Sequence, residues 1–164
     1  MASVPLNPTF SGKVDSTQDA LIIVEACLQG VLNHIPRGPY ASEQSRLAKR
    51  GNVFVYEGHS SGTNVWLDNV LWSPGTISGD FLAHYELEGS VSLDGRSEDY
   101  NADKIKAGGL VKKTLTATSN GVSHYLVAYD TEAGVTPSKD SSLQRITPRP
   151  DLEAITHMAA PFEP

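Results

Sequence analysis

The apolar pattern of the chain is helical at its start and alternating toward its end. Ser16-Thr17-Gln18-Asp19 leads into Ala20-Leu21-Ile22-Ile23-Val24-Glu25-Ala26-Cys27-Leu28-Gln29-Gly30. Ser16 or Thr17 can cap the free N–H groups, Asp19 favours the positive helix end, and Gly30 suits a left-handed stop. Ile23, Ala26, Cys27 and Leu28 form one stripe, so the spacing predicts an amphipathic helix against a core. Pro36 and Pro39 then force extended chain, residues 42–50 read as a second short helix ended by Gly51, and Val53-Phe54-Val55-Tyr56 reads as a strand. Residues 57–79 are rich in Gly, Ser, Asn, Asp and Pro around two tryptophans, the composition of a loop pinned by aromatic anchors. Residues 81–87 fit a strand or a helical turn equally well.

The clearest local signal lies further on. Leu110 to Ser119 and Val122 to Asp130 are alternating runs joined by Asn120-Gly121, the pair that tolerates the positive φ of a type I′ hairpin turn. A two-residue loop sets Ser119 against Val122, Leu115 against Leu126 and Lys112 against Tyr129. Leu115, Ala117, Leu126 and Ala128 then share one face, and Lys112, Thr114, Thr116, Tyr125 and Tyr129 the other. Residues 88–109 between the two halves are polar and read as a flexible insertion. The tail offers Thr147-Pro148-Arg149-Pro150 and then a single helical turn. No repeat or low-complexity tract interrupts this order.

Composition narrows the class. The 164 residues suit one domain, and 39% hydrophobic with 20% charged residues is ordinary for a globular protein. Thirteen Lys and Arg against 19 Asp and Glu give a net charge of −6, which argues against a generic nucleic-acid binder. Cys27 is the lone cysteine, so neither an intramolecular disulfide nor a cysteine-based zinc site is expected. Residues 1–9 lack a basic region followed by an apolar core, and the longest apolar run has five residues, so an intracellular, soluble protein is expected.

Catalytic motifs are missing: there is no nucleophile elbow, Walker loop, dinucleotide fingerprint or His-Glu-x-x-His. His34, His59, His84, His124 and His157 show no paired metal spacing and read as partly exposed surface groups. Cys27, on the apolar stripe, reads as a small core residue rather than a nucleophile. No enzyme, cofactor or metal is expected. The cations, by contrast, cluster: Arg37, Arg46, Lys49 and Arg50 face one acid, Glu43, within residues 34–50, a local sum of +3. Lys112 and Lys113 open the first hairpin strand, where neighbours point to opposite faces. Arg145 and Arg149 lie around Pro148. These groups fit either an ordinary solvated surface or a phosphate-contacting patch.

Several segments, in order, resemble the fungal WOPR-domain family, regulators of white–opaque switching and related morphological programmes. They are Thr9-Phe10-Ser11-Gly12, Asp19-Ala20-Leu21, Glu25-Ala26-Cys27-Leu28, His34-Ile35-Pro36-Arg37, Gly51-Asn52-Val53-Phe54-Val55-Tyr56-Glu57, Ser61-Gly62, Trp66, Asp68, Trp72-Ser73-Pro74 and Gly79-Asp80-Phe81-Leu82. After the insertion come Gly109-Leu110-Val111-Lys112-Lys113-Thr114, Ser123-His124-Tyr125-Leu126-Val127 and Arg149-Pro150. The resemblance implies a single α+β domain over residues 9–155, with a first region 9–87, a variable linker 88–109 and a second region 110–155. The two regions would intertwine in one antiparallel sheet with short flanking helices.

It also implies a nuclear, sequence-specific DNA-binding transcription regulator for AT-rich double-stranded DNA, working with other transcription regulators. Basic side chains entering a narrow, electronegative minor groove suit that target. The DNA-binding candidates are Arg37, Arg46, Lys49, Arg50, Lys112 and Lys113, with Asn64 on a base edge and Trp66 and Trp72 assigned to packing. The chain departs from the family pattern where cations are expected. Gly38 follows Arg37 in place of a second Arg, Asn64-Val65-Trp66-Leu67-Asp68-Asn69 stands for Lys-Arg-Trp-Thr-Asp-Gly, and Gly75-Thr76 for Ser-Arg. Each lost phosphate contact weakens binding, so the alternative is a WOPR-fold interaction protein that acts through protein partners.

Overall fold

The computed structural model describes residues 5–58, 66–89, 104–131, 143 and 145–155. Among them run β1 (Phe10–Ser11), α1 (Thr17–Leu28), α2 (Gln44–Leu47), β2 (Asn52–Glu57), β3 (Thr76–Ser78), β4 (Phe81–Tyr85), β5 (Leu110–Ser119), β6 (Val122–Thr131) and β7 (Glu153–Ile155). The strands make one antiparallel sheet in the order β1-β2-β6-β5-β4-β3, with β7 paired to β5, which is the α+β class expected.

The helix α1 begins where the polar residues predict. The Ser16 hydroxyl accepts the Asp19 N–H at 3.1 Å, and the Asp19 carboxylate accepts the Ser16 N–H at 3.3 Å, a reciprocal capping box. Thr17 turns away and donates to Asp80 Oδ2 at 2.7 Å. Gly30, at φ +80°, ends the helix turn. Ala20, Ile23, Val24, Ala26 and Cys27 are buried on the sheet side, and burial alone pushes the Cys27 thiol up to about 12, so it is an inert core group. The second helix is shorter than the 42–50 expected. Leu47 and Ala48 are the apolar residues it buries, and without a longer stripe nothing supports further turns.

The β5–β6 hairpin has the expected register, from Ser119↔Val122 through Leu115↔Leu126 to Lys112↔Tyr129. Asn120 and Gly121 carry φ +52° and +74°. Residues 81–87, left open between strand and turn, include β4. Gly79-Asp80 links it to β3, which lies inside the segment read as loop. The other edge of β5 is shared: β4 pairs with Val111 to Thr114, and β7 pairs with Thr116 to Thr118. The tail is therefore a strand and not a helical turn, because Glu153, Ala154 and Ile155 complete the part of β5 that β4 leaves unpaired. The insertion is fastened at its ends, where Glu88 N–H donates to Lys104 O and Lys106 N–H to Glu86 O, both at 2.8 Å. Residues 90–103 lie outside the described residues.

Both faces of the sheet are covered. Leu115, Ala117, Leu126 and Ala128 join Val53, Val55 and Phe81 under α1. Phe54, Tyr56, Val127 and Tyr129 pack on the other face with Leu6, Ile35, Leu47 and Trp66. β5 and β6 are the wall between these two cores, so errors in their register would misplace both.

Gly121→Val, which puts a β-branched side chain at φ +74°, should lower stability by more than about 1 kcal/mol in urea unfolding. An unchanged midpoint would show that the turn does not constrain the hairpin.

Candidate nucleic-acid interface

The cation-rich segment is tied to the edge of β2 before its first arginine. Ile35 N–H donates to Val55 O at 2.8 Å, and one residue earlier the His34 Nε2 and His124 Nδ1 atoms stand 3.1 Å apart in a hydrogen bond. Pro36 then leads the chain to Arg37, whose guanidinium grips Glu43 with both Nη atoms, at 2.6 and 3.1 Å. The guanidinium carbon lies 3.7 Å from the centre of the Tyr40 ring, and Nη1 also donates to Gly38 O at 3.0 Å. Glu43 is a hub: it accepts the N–H groups of Leu6 and Tyr40, each at 3.0 Å, and Arg46 stands 3.6 Å away. The Arg37 contact foremost holds the Glu43 carboxyl down at about 2.

The remaining cations of the cluster lie on α2 and just after it. Leu47 and Ala48 bury against the sheet face that holds Phe54 and Tyr129, which turns Arg46 outward, its side chain 49% exposed while Nη2 donates to Leu6 O at 3.0 Å. Lys49 and Arg50 follow and are exposed. Arg37, Arg46, Lys49 and Arg50 are thus gathered in one segment docked on one sheet face.

The hairpin lysines do not join them. Lys112 points into the wall, only 5% exposed, with its Nζ 3.3 Å from Asp68 Oδ2 and 4.7 Å from the centre of the Trp72 ring. Burial pushes its ammonium pKa down while Asp68 opposes that shift. This corrects its assignment as a surface cation: its register opposite Tyr129 puts it beneath the tryptophan segment. Lys113 faces the α1 side, near Phe81. Asn64 lies outside the described residues. Arg149 is also engaged, donating Nε and Nη2 to Glu25 at 2.9 Å each and its own N–H to the same carboxylate at 2.8 Å.

Asp68, named from the sequence only as part of the family pattern, organises the segment above the sheet. Its Oδ2 accepts the Tyr129 hydroxyl at 2.7 Å and Lys112; its Oδ1 accepts Trp72 Nε1 at 2.9 Å. Trp66 Nε1 donates to the Tyr129 hydroxyl at 2.6 Å, and the Trp66 ring stacks on Tyr56 at 5.5 Å and 14°. The described contacts of both tryptophans are packing contacts, as expected. Two of the histidines are not the partly exposed groups expected: His84 and His124 are 3% and 2% exposed, on strands covered from both sides, whereas His34 is partly exposed. His59 and His157 lie outside the described residues. The described residues hold no cluster of three or more His, Cys, Asp or Glu fit for a metal.

Comparison with known proteins places this geometry. The model of the Gti1/Pac2 family matches residues 9–107. The chain is similar to global transcription regulator sge1 of Fusarium oxysporum, 35% identical across 98% of this chain and 66% of that protein. It is 36% identical to transcriptional regulator MIT1 of Saccharomyces cerevisiae over 87% of this chain and 19% of that protein. The chain spans just under two thirds of the sge1 relative, and these relatives are named as regulators rather than enzymes. Its fold matches the WOPR domain of Wor1 of Candida albicans, solved with a 13 bp double-stranded DNA. The TM-score is 0.69 and the identity 27%, over 88% of this chain and 92% of that one.

Asp68→Asn strips the buried Lys112 of its anion and should cost about 3–5 kcal/mol in urea unfolding. Adding Lys112→Met should recover most of it; a double variant as unstable as the single one would locate the loss elsewhere. Glu25 and Glu43 both sit at about 2 in the fold against an ordinary 4.5. Depressed carboxylates stabilise the fold above their unfolded pKa, so stability should fall as the pH drops from about 4.5 toward about 2. Glu43→Gln should flatten that loss in acid-unfolding curves.

Proposed function

The chain belongs to the Gti1/Pac2 family of WOPR-domain proteins, and from that premise we propose that it is a sequence-specific DNA-binding transcription regulator acting in the nucleus. Residues 9–155 are its DNA-binding domain, and the target is AT-rich double-stranded DNA. Arg46, Lys49 and Arg50 contact phosphates or groove edges beside Arg37, and Asn64 reaches a base edge. Other transcription regulators are its protein partners.

The observation that carries this reading is the pairing of a fold matched by a DNA-bound relative with the gathering of four cations in one segment. A net charge of −6 does not oppose it, because charges beyond about 8–10 Å of a phosphate are largely screened at physiological salt. The local sum over residues 34–50 is what a bound backbone meets. Arg46 lies in a short helix and Lys49 and Arg50 just after it, in a segment that Leu47 and Ala48 hold against the sheet.

The test is fluorescence anisotropy with an AT-rich duplex and a scrambled duplex of equal length across a range of NaCl. The AT-rich duplex should bind more tightly. Each of Arg46→Gln, Lys49→Gln and Arg50→Gln that removes a phosphate contact should make the slope of log K against log salt shallower by about 0.9. Equal binding of both duplexes would reject sequence-specific recognition.

A further inference from the structure

The guanidinium nearest the start of the cationic segment is already occupied. Arg37 meets the two oxygens of Glu43 with its two Nη groups, the fork geometry by which arginine also grips a phosphate. The pair is not core: the side chains are 20% and 12% exposed, and the Tyr40 ring stacked on Arg37 is itself at the surface. With Glu43 in place, the two charges cancel toward anything that approaches from outside.

We propose that Glu43 is an internal competitor for the DNA backbone, a carboxylate that holds Arg37 in the free protein and yields it to a phosphate on binding, so that Glu43 sets the affinity of the chain for DNA. This rests on the DNA-binding function proposed above.

Two features make the exchange feasible. Glu43 does not depend on Arg37 alone, since the Leu6 and Tyr40 N–H groups and Arg46 also surround its oxygens. When Arg37 leaves, the carboxylate keeps those donors, so no anion is stranded without partners. Arg37, for its part, keeps the face of Tyr40 as a stacking support while its Nη groups change partner. The chain thus lowers its grip on DNA backbone in general, while a duplex whose shape brings a phosphate to Arg37 recovers the contact.

The test uses the whole chain, a 17 bp AT-rich duplex, the length recorded with the Wor1 WOPR domain, and anisotropy from about 50 to about 200 mM NaCl. Glu43→Gln, which keeps the shape and one acceptor oxygen, should bind more tightly at every salt concentration with the wild-type slope of log K against log salt, because Arg37 reaches the same phosphate in both. Arg37→Gln should bind more weakly than the wild type with a slope shallower by about 0.9, because it removes the phosphate contact and leaves Glu43 facing the duplex. Arg37→Gln with Glu43→Gln should keep that shallower slope and show none of the tightening that Glu43→Gln gives alone. Circular dichroism melts establish that each variant is folded. In the wild-type chain, the Glu43 carboxyl carbon resonance should move as duplex is added, a reading that needs no variant.

If the wild type binds while Glu43→Gln binds no better and the carboxyl resonance stays still, Glu43 merely positions Arg37 and the competitor role is overturned. If neither the wild type nor Glu43→Gln binds any duplex, the DNA-binding function itself falls. A wild type that binds weakly beside a Glu43→Gln variant that binds well supports both.

Discussion

An ammonium group placed in the wall between two hydrophobic cores demands an anion within reach, and in this fold Asp68 meets that demand for Lys112. The same carboxylate accepts Trp72 Nε1 and the Tyr129 hydroxyl, and Tyr129 accepts Trp66 Nε1, so one side chain joins the tryptophan segment to β5 and β6. An apolar replacement of such an ion pair is often no less stable. What the polar version adds here is a fixed placement for a segment without long strands of its own. With Trp66 seated on Tyr56 and near Phe54, the second face of the sheet closes. Leu6, Ile35 and Leu47 belong to the same core, so the cationic segment is docked on a surface completed by Asp68.

How much of this was legible depends on where each signal's partner lies. The cap at Ser16, the Gly30 stop and the Asn120-Gly121 turn find their partners within a few residues, and each appears as the sequence indicates. The strand β7 is invisible in its own three residues. It exists because β4 stops at Thr114 and leaves the end of β5 open, a fact of sheet geometry across some forty positions of chain. Lys112 failed in the same way. Its alternation was read correctly, but the sequence does not say that Asp68 and Trp72 lie above that face. His124 shares a strand face with Leu126 and Ala128, and that alternation was the available sign of its burial.

Basic residues show the limit of counting charges most clearly. Composition treats Arg37, Arg149 and Lys112 as three surface cations. In the fold each faces a carboxylate, and the three carboxylates differ in what they hold together. Glu25 fastens the tail to α1, Asp68 fastens the tryptophans to the sheet, and Glu43 fastens residues 6, 37 and 40 into one corner. These pairings are local and nearly neutral, so they lower the electrostatic attraction that the chain offers to any polyanion.

That distinction bears on why a chain with a net charge of −6 can still be a DNA-binding protein. Long-range attraction is weak when the total is negative, and salt confines each charge to its own neighbourhood. In the function proposed above, association depends on a small exposed set, Arg46, Lys49 and Arg50, held beside a neutralised Arg37. Backbone affinity from so few contacts is modest, and random duplex gains little from it. Discrimination between duplexes then rests on groove shape and base contacts, whose geometric demands are met by rigid support. For a chain that binds DNA as proposed, fewer cations on a firmly packed scaffold would therefore shift the balance from general affinity for DNA toward selectivity among its sequences.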